Sequence, residues 1–92
     1  MTHPIHHFSE TYKDARTAFL EAASAAGAAL TEYRHELLGP EGETLAVDVC
    51  RLGRSDASKL LVVLSGTHGL EGYAGSGCQL GFLRSRGELR LP

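Results

Sequence analysis

The chain has 92 residues, 42% of them hydrophobic and 22% charged, with a net charge of −2 that provides no basic surface for nucleic acid. That length is one small globular unit whose folding hides only about 60% of the surface of its unfolded chain, so a deep catalytic cleft would need walls from additional polypeptide. The longest uninterrupted apolar stretch, Leu60-Leu61-Val62-Val63-Leu64, falls far short of the ~20 residues of a membrane span. The opening MTHPIHHFSE lacks a basic-then-apolar leader, and the expected location is cytoplasmic.

Residues 1–8 read as a flexible start. His3, His6 and His7 cluster within it and are assigned no function. From Ser9 or Thr11 to Ala26, Tyr12, Ala15, Phe19, Ala22, Ala23 and Ala26 recur at helical spacing, and Gly27 stands where a helix ends. Thr11 followed three residues later by Asp14 forms a weak capping box, and Lys13 and Arg16 are expected on the solvated side.

Residues 29–38 alternate toward Gly39-Pro40-Glu41-Gly42, after which Leu45, Val47 and Val49 alternate with Ala46, Asp48 and Cys50, a β-hairpin pattern in which His35 is a surface or cross-strand residue. Residues 60–64 read as a central strand buried on both sheet faces. Then come Ser65-Gly66-Thr67-His68-Gly69-Leu70-Glu71-Gly72 and a helical pattern from Tyr73 to Arg84. The order of helix, hairpin, buried central strand and helix makes an α/β layer fold, with the turn at the carboxyl end of a sheet strand, where open α/β sheets bind ligands. Cys50 and Cys78, without a Cys-x-x-Cys spacing, are expected as core thiols of a reducing compartment.

Chemistry concentrates at that turn. His68 and Glu71 are three residues apart, so both side chains can face one metal, and zinc accepts imidazole nitrogen and carboxylate oxygen. The alternative is that His68 caps the turn and Glu71 neutralises the helix amino end. No Gly-x-Ser-x-Gly nucleophile elbow occurs, and the glycine pattern lacks the lysine of a phosphate-binding loop.

The run Leu61-Val62-Val63-Leu64-Ser65-Gly66-Thr67-His68-Gly69-Leu70-Glu71-Gly72-Tyr73-Ala74-Gly75-Ser76-Gly77-Cys78-Gln79 resembles the zinc-site turn of the metallocarboxypeptidase superfamily. More narrowly it is similar to the branch catalogued as domain of unknown function 2817, in which a buried strand leads into Ser-Gly-x-His-Gly-x-Glu-Gly and then Gly-Ser. The likeness extends over residues 8–92 and is specific between 61 and 83.

It implies the N-terminal portion of a mixed-sheet zinc carboxypeptidase-like fold over residues 9–92, cut short at its C-terminus, with His68 and Glu71 as two of three zinc ligands. The third histidine, the substrate-binding arginines and the general base of that family map onto no residue here, so the chain alone is expected to be inactive. The implied substrate of the complete enzyme is a peptide or small amide. The competing reading is a non-catalytic α/β interaction domain, and in either case an unpaired sheet edge invites self-association.

Overall fold

The computed structural model describes residues 3–66 and 69–85. A single 3₁₀ turn, Pro4–His7, precedes helix α1, Tyr12–Ala25; strands β1, Ala29–Leu38, and β2, Thr44–Arg51, follow; helix α2, Gly72–Arg84, comes last. The fold is thus a small α/β arrangement of two helices and a two-stranded antiparallel sheet.

Helix α1 begins and ends where its local chemistry directs. The Thr11 hydroxyl accepts a hydrogen bond from the Asp14 amide at 3.1 Å, satisfying one of the amides that a first helical turn leaves without a partner. At the other end Gly27 takes φ +76°, a left-handed conformation that costs glycine little. The Gly27 amide bonds Ser24 O and the Ala28 amide bonds Ala23 O, both at 3.0 Å, which is the paired closure of a Schellman cap.

The chain then turns directly into the hairpin. Its register pairs Ala29 with Arg51, Tyr33 with Val47 and Arg34 with Ala46, then shifts so that Leu38 faces Thr44. Residues 35–37 therefore bulge opposite Leu45 alone, and the His35 ring supplies a substitute for the interrupted ladder: its Nδ1 accepts from the Leu37 amide at 3.0 Å.

Two polar ties hold α1 against one face of this hairpin. The Tyr12 hydroxyl donates to Ala46 O at 3.2 Å and accepts from Ala46 N at 2.9 Å. One turn further along, the Arg16 guanidinium grips Asp48 with Nε at 2.8 Å and Nη2 at 3.1 Å, and Nη2 also reaches Glu32 at 2.5 Å. Arg34 closes the group by pairing with Glu32 from the same strand. Arg16 is thus not the solvated residue its charge suggests, because Tyr12, Arg16, Phe19 and Ala23 form one stripe and the guanidinium finds its carboxylates across the helix–sheet interface.

The apolar core is small: Ala22 and Ala23 of α1 meet Leu80 and Leu83 of α2, with Phe19, Ala28, Cys50 and Leu52 around them. Alanine lets the helices approach closely, and Leu80, 1% exposed, fills the contact. Cys50 is half-buried there, and burial pushes its thiol pKa up. Cys78 is exposed, contrary to its expected place in the core, because the buried side of α2 runs through Gly77, Leu80 and Leu83 and residue 78 lies one step off that line.

The larger difference concerns residues 60–64. No ladder forms there, and Leu60, Leu61, Val62, Val63 and Leu64 are 80, 76, 64, 58 and 81% exposed. A strand buried on both faces needs a neighbouring strand for its amides and a layer above and below for its side chains. Among the described residues the sheet contains β1 and β2 alone, purely antiparallel rather than mixed. No helix among them is long and apolar enough to cross a membrane.

Two measurements check the helix–hairpin interface. Tyr12→Phe removes both bonds to Ala46 and is expected to lower unfolding free energy by about 1–2 kcal/mol in denaturant titration. The Arg34 and Arg16 guanidiniums hold the Glu32 carboxyl below the usual carboxylate range. A depressed folded-state pKa contributes stability above the unfolded value of about 4.3, and that stability is lost as pH falls through the folded value. Melting temperature is therefore expected to drop as pH falls below about 4.3, with a shallower acid limb for Glu32→Gln.

Candidate functional site

The polypeptide from residue 63 onward is tied to α2 before it becomes part of it. The Gln79 side chain donates to Val63 O at 3.0 Å, and its Oε1 accepts from the Ser65 hydroxyl at 2.7 Å. Gly66 takes φ +71° and turns the chain toward the helix. The Gly72 Cα lies so near that a methyl group there would come within 3.0 Å of Gly66 Cα. At Gly75 a methyl group would meet Ser65 Cβ at the same distance. These glycines therefore serve contact rather than flexibility.

The helix then winds up through three short bonds in sequence: Gly72 N to Gly69 O at 2.9 Å, Tyr73 N to Leu70 O at 3.2 Å and Ala74 N to Glu71 O at 3.1 Å. Glu71 occupies the cap position with helical φ −62° and ψ −18° and makes no side-chain cap bond. Its residue is exposed, and its carboxylate passes beside Gly69, where a methyl group would lie 3.7 Å from Oε2. An exposed carboxylate at the positive end of a helix dipole is well placed to meet a cation together with a second donor.

Of the two residues singled out by spacing, the structure thus places Glu71, whereas His68 lies outside the described residues. The donor chemistry fits zinc as far as it extends: an imidazole and a carboxylate are half of a catalytic zinc's usual set of three protein ligands and a water. The described residues add no further ligand, and no group of three His, Cys, Asp or Glu among them could hold a metal ion.

Two of the other histidines are engaged elsewhere. His35 belongs to the β1 bulge, and His7 contacts Arg84 at 2.8 Å, at the far end of α2 from Glu71. With a rise of 1.5 Å per residue, that is roughly 20 Å along the helix. An open depression of about 420 Å³ lies between α1 and the hairpin turn, lined by residues such as Tyr12, Arg16, Glu41 and Thr44, and α2 contributes nothing to it.

Sequence reasoning did not foresee the role of Gln79. It lies on α2 and its two partners are 14 and 16 residues away, so only its polar character within an apolar helical pattern hinted at a use.

The close approach at Gly72 can be tested by adding one carbon. In an open helix Gly→Ala gains up to ~1 kcal/mol. Gly72→Ala is instead expected to lose about 1–3 kcal/mol in denaturant titration, because overpacking against the Gly66 backbone outweighs helix propensity.

Comparison with curated proteins finds no match, and comparison with solved structures finds none either. A family model does match: the one described as Protein of unknown function (DUF2817) aligns with residues 8–92. Nearly the whole chain is covered, including the glycine turn and both helices, and the protein belongs to the DUF2817 family.

Proposed function

We propose that this protein contributes to a zinc-dependent hydrolase of peptide or amide bonds, with His68 and Glu71 as two of the metal's ligands. The observation that carries the reading is the build of the turn. An exposed carboxylate sits at the amino end of a helix, three residues after a histidine in the sequence, on backbone packed so closely that a Cβ at position 72 would stand 3.0 Å from Gly66 Cα. The likeness of this turn to that of the metallocarboxypeptidases adds support and supplies the reaction class.

Zinc held there supplies Lewis-acid polarisation of a carbonyl and lowers the pKa of a bound water toward ~7. The chain's own part is to hold and orient. His68 donates through a neutral ring nitrogen, and Glu71 contributes a carboxylate whose negative charge the α2 dipole stabilises. The Gln79 side chain, which donates to Val63 O and accepts from the Ser65 hydroxyl, holds the approach to the turn against α2, the helix whose amino end carries Glu71. Glu71 is a ligand in this scheme and takes no substrate proton. A third ligand and a general base come from residues other than those described.

The competing reading, an interaction domain without catalysis, draws on the exposure of residues 60–64 and of every residue of β1. It predicts zinc-independent self-association through the hairpin edge.

Titration of zinc against a chromophoric chelator separates the two. Outer-shell partners of a bound metal typically contribute 10–100-fold in affinity, so His68→Ala and Glu71→Ala are each expected to weaken binding by at least ~10-fold. His3→Ala and His6→Ala are expected to change nothing. Equal zinc affinity in the wild type and His68→Ala rejects the metal reading.

A further inference from the structure

Residues 3–8 are packed onto α2, and the packing has a chemical condition attached. His3 Nδ1 accepts from the Ile5 amide at 3.1 Å and starts the 3₁₀ turn, with Pro4 at its first position. Phe8 then lies against α2: a methyl group at Gly77 would come within 2.3 Å of its ring. The His7 ring covers Gly81, where a methyl group would sit 3.4 Å from the ring carbon Cδ2. Arg84, one turn further, closes the contact by donating from Nη1 to His6 O at 3.1 Å and to His7 Nδ1 at 2.8 Å.

That last bond fixes the protonation state of the ring. A guanidinium has five N–H donors, no acceptor, and does not lose its charge. Nδ1 of His7 must therefore offer a lone pair, and the imidazole is neutral when the segment is docked. A second proton converts Nδ1 into a donor and sets two cations against each other.

Among the described residues, nothing around the pair compensates. On the same turn the other titratable groups are His3 and His6, whose rings stand 6.4 Å apart. On α2 they are Arg84, the exposed Cys78, Tyr73 and, at the opposite end, Glu71. Among the described residues no carboxylate pairs with His7 or Arg84.

We propose that His7 and Arg84 form a pH-gated latch: the 3₁₀ turn and Phe8 stay on the glycine face of α2 while the His7 ring is neutral, and leave it when that ring gains a proton. Release uncovers Gly77 and Gly81 and frees Phe8, so the same helix that carries Glu71 at one end presents an open apolar face toward the other.

Nuclear magnetic resonance of the intact chain reads the latch directly. The Phe8 ring over Gly77 displaces the Gly77 resonances by its ring current, and the His7 ring protons report its own titration. As pH is lowered, the Gly77 displacement is expected to fall below half in step with the change in the His7 ring-proton shifts, while the resonances of the β1–β2 ladder keep their places. In His7→Asn, whose side-chain oxygen still accepts from Arg84 but does not titrate, the displacement is expected to persist at the lower pH. Gly77 resonances that stay constant while His7 titrates overturn the proposal, as does an unchanged transition in His7→Asn. The wild-type titration decides by itself if that variant does not fold.

Discussion

With two alanines and two leucines as its buried apolar side chains among the described residues, this fold leans on the Arg16 clamp for its helix–hairpin geometry. Arg16 is 17% exposed and Asp48 8%, so both charges have left most of their water and need each other's hydrogen bonds in return. Two parallel N–H donors on one carboxylate fix direction as well as distance. Glu32 adds a second negative partner from the neighbouring strand, so the guanidinium bridges both strands and ties them to α1. Tyr12 does the same one helical turn earlier through both backbone groups of Ala46. A sheet of two strands is marginal alone, and here polar fastening supplies much of what a thin core does not.

Helix α2 works on a different basis. Four of its thirteen residues are glycine, and each of the four has a neighbour where a side chain would stand: Gly66, Ser65, Phe8 and His7. The first two contacts fasten the turn that leads to Glu71, and the other two receive the start of the chain. The candidate ligand and the docked N-terminal turn thus share one helix, and the backbone shape of that helix is common to both.

Local signals in the sequence identify what is local in the structure. Thr11 and Gly27 bound α1 because capping involves residues three or four apart, and the hairpin follows from alternation around Gly39 and Gly42. The position of Glu71 at a helix start was legible for the same reason, since the glycines around it mark the change from turn to helix. What escaped was non-local. Arg16 reads as a surface charge until Asp48, 32 residues away, is brought opposite it. Cys78 reads as core because apolar spacing locates a stripe only to within one residue. Residues 60–64 have the composition of a buried strand, yet burial is a property of neighbours, and among the described residues none covers them.

The glycine content of α2 also bears on the order in which the chain assembles. Each interior glycine costs a helix about 1 kcal/mol relative to alanine, so Gly75, Gly77 and Gly81 leave α2 with little tendency to form by itself. Helix α1 is rich in alanine and capped at both ends, and β1 and β2 are joined by a short turn, so their contacts close small loops. Formation of α2 waits on surfaces already in place, and the segment around Phe8 can settle only after that. Sequence order and folding order therefore diverge: residues 3–8 precede α1 in the sequence, yet they find their partners only once α2 has formed.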